Sequence, residues 1–420
     1  MTDRLPCNVP GCPRTILPDT AARTAGRCMP CTQSQAAEEQ RRYIEANQVD
    51  VDRFAGVTDP VELIRLAHQT PVREPLKRYL PPPKTLAEMY RELRPEDTRR
   101  LIALTARLVG EGQDEARDMA STLACVTQAD LEDVQLALVR KRVPYPAVVF
   151  RAASERVTAS LAALLHEPKR ETLLISHVLE ALAWTRHPHA IGLFMRWRDA
   201  PPDWAGLLHL EPCRYAACGG WELGVDAKPR ALCGEPCGEF VASHEAASAD
   251  ARAIVATTSR CRCGRALALL FDVRAARTLL PWLEWPYDRL VVPMCDACVC
   301  FETLFYSVTE SADFSEVSER KAAPADAATW PELPSAGLVV GARRSPLHAA
   351  DWLLEMGESQ LGGHPGWVQD LAYPTCPTCS RTMSFVGQVA HAEFEAHAEG
   401  TYYGFACPRC RVVAANYQQT

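Results

Sequence analysis

The sequence has no run of about 20 apolar residues, the length a helix needs to cross a bilayer, so no membrane-spanning segment and no membrane partner is expected. Its first ten residues, MTDRLPCNVP, lack the apolar stretch and small-residue cleavage site of a secretory signal, which leads to an expected cytoplasmic location. No P-loop, GxSxG, HExxH or dinucleotide fingerprint occurs, so the expectation is a protein that is not an enzyme. Excess positive charge is missing too. The formal net charge is −7, and a chain of that sign does not favour a polyanion, so nucleic acid is not the expected main partner.

With 420 residues, the chain exceeds one ordinary domain and suggests two to four. Hydrophobic residues make up 47%, enough to build sizeable cores. Charge is distributed unevenly. Residues 301–420 carry 14 acidic and 7 basic side chains, whereas residues 1–110 carry 14 and 17. An acidic C-terminal third suits a basic partner, although a solvated surface is the favoured reading.

Cysteine is abundant, with 18 in the chain. A reducing compartment does not favour that many disulfides, so the spacing needs another account. Cys7 and Cys12 are followed by Cys28 and Cys31. Cys213 and Cys218 are followed by Cys233 and Cys237. Cys261 and Cys263 are followed by Cys295 and Cys298. Cys376 and Cys379 are followed by Cys407 and Cys410. Cys125 and Cys300 are left over. Two close cysteines on a tight turn present both thiolates to one ion, and a second pair completes a tetrahedron. Four thiolates leave no position for water or substrate, so three to four structural zinc ions are expected.

The last quartet is the plainest, two CPxC knuckles separated by β-forming residues, the layout of a zinc ribbon. In the third quartet, Cys261-Arg-Cys263-Gly264 is unusually short, and Gly264 supplies the turn such a knuckle needs, with Cys300 a substitute ligand. The set Cys213, Cys218, Cys233 and Cys237 is loosely spaced, and burial as small hydrophobes is its rival reading. Redox catalysis needs one CxxC at a helix start in a βαβ context, which these paired motifs lack.

Along the chain, residues 1–35 read as an N-terminal zinc ribbon, and 36–84 as a helical or irregular linker with a polar helix at 36–44, ending at Pro81-Pro82-Pro83. Residues 85–210 show helical periodicity, for example Leu101, Leu104, Thr105 and Leu108, and Thr172–Trp184 followed by Ala190–Trp197. Successive short helices suggest a HEAT-like array. Residues 211–310 read as a cysteine-rich β module, 311–336 as a linker, and 337–420 as a C-terminal zinc-ribbon module. The expected fold class is therefore α+β and multidomain, a HEAT-like helical array bracketed by zinc-bearing β modules.

Several stretches resemble known families. Cys28-Met-Pro-Cys31 and the preceding Ile16-Leu-Pro-Asp-Thr-Ala-Ala-Arg-Thr-Ala-Gly-Arg resemble a short zinc-ribbon module at the front of bacterial proteins, including presumed immunity proteins of polymorphic toxin systems. Leu361-Gly-Gly-His-Pro-Gly-Trp-Val-Gln-Asp, Cys376-Pro-Thr-Cys379, Met383, Gln388 and Gly400-Thr-Tyr-Tyr-Gly-Phe-Ala-Cys407 resemble the bacterial YwqG-like family. The zinc-bearing layout is similar to that of programmed-cell-death-protein-2-like proteins, which resemble ribosomal-protein chaperones. Ala183-Trp184, Pro202-Asp-Trp204 and Gly220-Trp-Glu-Leu also look like a presumed immunity module.

These resemblances imply a bacterial, zinc-stabilised protein-binding protein, with a basic toxin as the expected partner. A chaperone or adaptor for ribosomal or other basic proteins is the alternative they carry. A third reading places nucleic acid on Arg14, Arg23, Arg27 and the Arg41-Arg42 pair. His187 and His189 around Pro188 read as turn residues. His391 and His397 among Glu393, Glu395 and Glu399 read as a polar loop. His364-Pro-Gly-Trp367 reads as a turn whose Trp packs on the last zinc module, and Trp184, Trp197 and Trp204 read as helical core.

Overall fold

The computed structural model describes residues 4–167, 171–243, 250–317, 337–350, 359–393, 395 and 398–419. The chain divides into two compact units, Met1–Thr85 and Leu86–Thr420. Most of the expected linker, from residue 318 to 336, lies outside the described residues, as does His397.

In the first unit, β1 (Leu5–Pro6) and β2 (Thr15–Ile16) form a minimal antiparallel pair, followed by α1 (Pro18–Arg23) and α2 (Met29–Asn47). The helix expected at 36–44 is twice as long and runs through the expected boundary at residue 35. Cys28 stands at its N-cap with Pro30 in the first turn, where the missing N–H costs nothing. No residue of α2 is buried. Its exposed surface carries Glu38–Arg42 at i,i+4, a pair that adds only a few tenths of a kcal/mol. β3 (Val49–Val51) pairs in parallel with β4 (Lys77–Tyr79) around α3 (Pro60–His68). The Asp59 carboxylate caps α3 by accepting from Val61 N–H, and Val61 and Ile64 form its buried face.

The second unit begins with helices α4 (Leu86–Arg91), α5 (Pro95–Glu111), α6 (Glu115–Val126), α7 (Glu132–Arg140), α8 (Glu155–Leu164), α9 (Thr172–Thr185) and α10 (Pro188–Asp199). Leu101, Thr105 and Leu108 of α5 are buried, as their 3–4 spacing dictates. α5 packs on α6 and α7, α8 on α7 and α9, and α9 also packs against the 3₁₀ segments Ala147–Phe150 and Pro212–Gly219. Trp204 is buried and meets Trp197 edge-to-face at 5.3 Å. His187 caps α10 by accepting from His189 N–H at 3.2 Å, so this pair closes a turn.

A small hairpin, β5 (Trp221–Leu223) with β6 (Pro229–Ala231), leads into one large antiparallel sheet. Its strands are β7 (Gly234–Ala242), β8 (Ala251–Arg260), β9 (Ala266–Val273), β10 (Leu290–Met294), β11 (Leu304–Val308), β12 (Phe314–Glu316), β13 (Leu338–Arg343), β14 (Gln360–Gly363), β15 (Ser384–Ala390), β16 (Thr401–Cys407) and β17 (Val412–Gln418). The spatial order is β10-β9-β8-β13-β7-β14-β15-β16-β17-β11-β12. Strands from 211–310 and 337–420, expected as two modules, thus interleave. β13 lies between β7 and β8, and β11 pairs with β17. Long-range pairing of this kind leaves no local trace in the sequence.

The sheet curls until β10 approaches β17, so it is nearly closed. Across the interior, Gly404 on β16 leaves room for the Phe271 ring of β9, which a Cβ there would meet at 2.6 Å. Every residue of β16 is buried. Its side chains alternate between two cores, as a pleated strand requires. Tyr403, Phe405 and Cys407 join one with Phe385 and Met383, and Tyr402 and Ala406 join the other with Val386 and Val413.

Candidate metal centres

Three groups of four cysteines converge: Cys7, Cys12, Cys28 and Cys31; Cys261, Cys263, Cys295 and Cys298; Cys376, Cys379, Cys407 and Cys410. In each group the sulfur atoms all lie within 4.8 Å of one another. Sulfurs approach to 3.6 Å for Cys12–Cys31, 3.5 Å for Cys263–Cys295 and 3.7 Å for Cys379–Cys407. A disulfide would bring sulfurs to about 2.05 Å. A tetrahedral ion with bonds of about 2.3 Å sets them about 3.8 Å apart, so the sulfur spacing fits zinc coordination.

The first centre is built from local turns. Cys7 N–H donates to Arg14 O (2.9 Å), and Cys12 N–H to Val9 O (3.1 Å), with Gly11 at φ 78 in between. Only a residue tolerant of the left-handed region fits that turn cheaply. Cys28 and Cys31 occupy the start of α2, and Cys28 N–H donates to Cys7 Sγ at 3.3 Å. The Cys28 thiol is lowered to about 6, chiefly by the backbone N–H of Cys31. Cys31 is pushed up to about 12, chiefly by its hydrogen bond with the Cys28 sulfur, and a bound cation would favour its thiolate instead.

The second centre joins two ends of the sheet's β8–β10 edge. Cys261 follows β8, and its N–H donates to Arg265 O (2.9 Å). Gly264 (φ 89) turns the chain back into β9, the role its position after the short knuckle predicted. Cys295 follows β10, and Cys298 lies in the helical turn Asp296–Val299. Between these ligands, Asp296 accepts from Arg265 Nε at 2.9 Å in a nearly buried ion pair. Cysteine spacing gives no signal for this pair, though Asp296 directly follows Cys295 and Arg265 stands two residues after Cys263. Cys300 is exposed, its thiol faces Asp296 O at 3.2 Å, and it is not part of the group.

The third centre repeats one knuckle twice. Cys376-Pro-Thr-Cys379 is followed by Ser380 at φ 56, and Cys407-Pro-Arg-Cys410 by Arg411 at φ 56. Cys376 N–H donates to Arg381 O at 2.8 Å, and Cys407 ends β16. Trp367 stacks on Tyr403 (4.9 Å) in the aromatic cluster that surrounds these cysteines, as its turn position suggested.

The fourth set is not assembled, which corrects the expectation of a site at Cys213, Cys218, Cys233 and Cys237. Cys213 and Cys218 sit toward opposite ends of the segment Pro212–Gly219. Cys213 approaches Glu211 instead, at 3.9 Å. Cys233 is buried against Gly220 O and Tyr373, and Cys237 on β7 donates to Gln360 Oε1 at 3.4 Å. Burial pushes Cys218 up to about 12 and Cys233 to about 11, so these thiols behave as the small buried groups of the rival reading. Cys125 is buried beside Val148, Leu347 and Trp184. His391 bridges Tyr417 (3.1 Å) and Glu395 (3.0 Å), a closed local network.

The fold and these centres define a mixed α and β protein with three four-cysteine groups that could hold zinc. No helix among the described residues is long and apolar enough to cross a membrane. No family model matches the chain, and no solved structure does. It is 35% identical over 430 aligned positions to the "Uncharacterized protein YpfL" of Salmonella typhimurium (strain LT2), with both chains covered completely. The chain belongs to the family of that protein.

Proposed function

We propose that this chain is a zinc-stabilised, cytoplasmic protein that acts by binding another protein, and that the partner is a basic toxin whose activity it neutralises. The observation that carries the binding reading is the closure of all three cysteine groups. Four sulfurs per group fill a tetrahedron and leave zinc no open position for catalysis. The ions then serve the fold, and function falls to surfaces. In this reading the helical segment of residues 85–210 offers a HEAT-like face, and the acidic C-terminal third speeds association with a basic partner. The resemblance to presumed immunity modules supports the toxin.

The test is co-expression with each neighbouring gene in a host lacking this protein. A neighbour that kills alone and is tolerated with this chain, and that co-purifies with it at equal stoichiometry, supports the reading. Toxic neighbours that this chain never relieves overturn it. Co-purification of ribosomal proteins instead would favour the chaperone.

A further inference from the structure

A cleft of about 610 Å³ opens in the second unit, lined from α6, α9, the segment Pro212–Gly219 and the chain after β14. None of the three cysteine groups lines it. Glu180 and Trp184 stand one turn apart on α9, and Asp118 and Ser121 one turn apart on α6, so each helix turns two side chains to the same space. Among the described residues, no hydrogen bond or ion pair engages the Glu180 carboxylate. Asp118 has, among the described residues, the adjoining Arg117 as its electrostatic partner of opposite charge. Asp370 adds a third acidic residue to the lining, whose basic side chains are Arg117, paired with Asp114 at 3.2 Å, and the neutral His364.

His364 lies beneath them, 6% exposed and stacked on Trp184 at 4.7 Å. Arg186 carries no acceptor, so its guanidinium donates to His364 Nε2 (3.4 Å) and the imidazole proton belongs on Nδ1. Burial and then Arg186 hold this ring neutral, so the imidazole adds no positive charge, and the Arg186 guanidinium beside it is engaged by Gly219 O. Burial alone raises the Glu180 carboxyl to about 7.

We propose that this cleft binds an organic cation, an amine or guanidinium group held by Glu180 and Asp118 and enclosed by Trp184 and Trp367. The acids and His364 do not converge as the cysteine groups do, within 4.8 Å, so a compact metal ion is not the ligand they fit. A larger cation can span them. Aromatic walls favour a weakly hydrated organic head, through cation–π attraction and a lowered local dielectric. The head group can come from a free amine or from a lysine or arginine side chain of a protein partner. The assignment stands apart from the toxin reading.

The experiment titrates the full-length, zinc-loaded chain with agmatine, with a doubly blocked arginine, and with uncharged butylurea. Calorimetry and the fluorescence of the lining tryptophans report binding. Agmatine or blocked arginine should bind, butylurea should not, and Glu180→Gln or Asp118→Asn should weaken binding about tenfold or more, the effect of losing one charged hydrogen-bond partner. Zinc content and circular dichroism serve to show that each variant is folded. Stronger binding of agmatine assigns a free amine, and stronger binding of blocked arginine assigns a protein side chain. No response to either cation up to about 10 mM overturns the proposal, as does equal affinity in both variants.

Discussion

At the scale of the residue, Glu180 is the most open to test. Burial lifts its carboxyl from an ordinary value of 4.5 to about 7, so the folded chain holds its proton more firmly than the unfolded chain does. Stability from this group is therefore full below about pH 4.5 and is lost as pH rises toward 7. Glu180→Gln should leave stability nearly unchanged at pH 4.5 and raise it at pH 8 by about 2–3 kcal/mol as an upper figure, since a tenfold change in proton affinity corresponds to about 1.4 kcal/mol. Denaturant unfolding at the two pH values checks this, and an equal effect at both would refute the burial account. Gly220 offers a second test. It sits at φ 72, and a Cβ there would meet Cys233 Sγ at 2.3 Å. Gly220→Ala should destabilise by about 2–4 kcal/mol, combining backbone strain with overpacking, and thermal unfolding measures it.

At the scale of the element, the metal knuckles and the dispersed quartet make opposite predictions. Cys410→Ser should lower zinc from three ions per chain to two by elemental analysis, because three thiolates no longer close the third centre. Cys213→Ser should leave the count at three, since Cys213 shares no group. A fourth ion lost with Cys213 would reinstate the site that the fold disperses. The knuckles were legible because both thiolates of a pair come from one turn, and Gly11 and Gly264 mark turns that demand positive φ. The Cys213 set misled because spacing alone does not decide assembly: Cys7 and Cys12 are equally far apart and do share a group, with Gly11 at positive φ beside Cys12. Cys213 and Cys218 lie in the 3₁₀ segment Pro212–Gly219 and Cys237 on β7, and the set's four sulfurs form no group within 4.8 Å.

At the scale of the whole molecule, the sheet couples distant parts of the chain. β11 pairs with β17, which follows directly on the third centre, and β13 binds β7 to β8. Loss of zinc from the third centre should therefore loosen more than residues 374–419. In Cys379→Ser, amide exchange should accelerate in β11 (Leu304–Val308) along with β15–β17, while α5 keeps its protection. Loosening confined to β15–β17 would mean that this segment unfolds as an independent module.

The sequence by itself determined the local chemistry: the cysteine knuckles of the three assembled groups, the buried face of α5, the positions of α9 and α10, and that Trp367 packs beside the last knuckles. Such features depend on residues a few positions apart, where periodicity and turn geometry act directly. Tertiary structure alone decided that the two cysteine-rich segments share one nearly closed sheet, and that Asp118, Glu180 and His364 meet in one cleft. These residues come from α6, α9 and the chain after β14, up to 246 positions apart. Burial, not sequence, sets the charge and proton affinity of such groups, because desolvation depends on neighbours brought together only by folding.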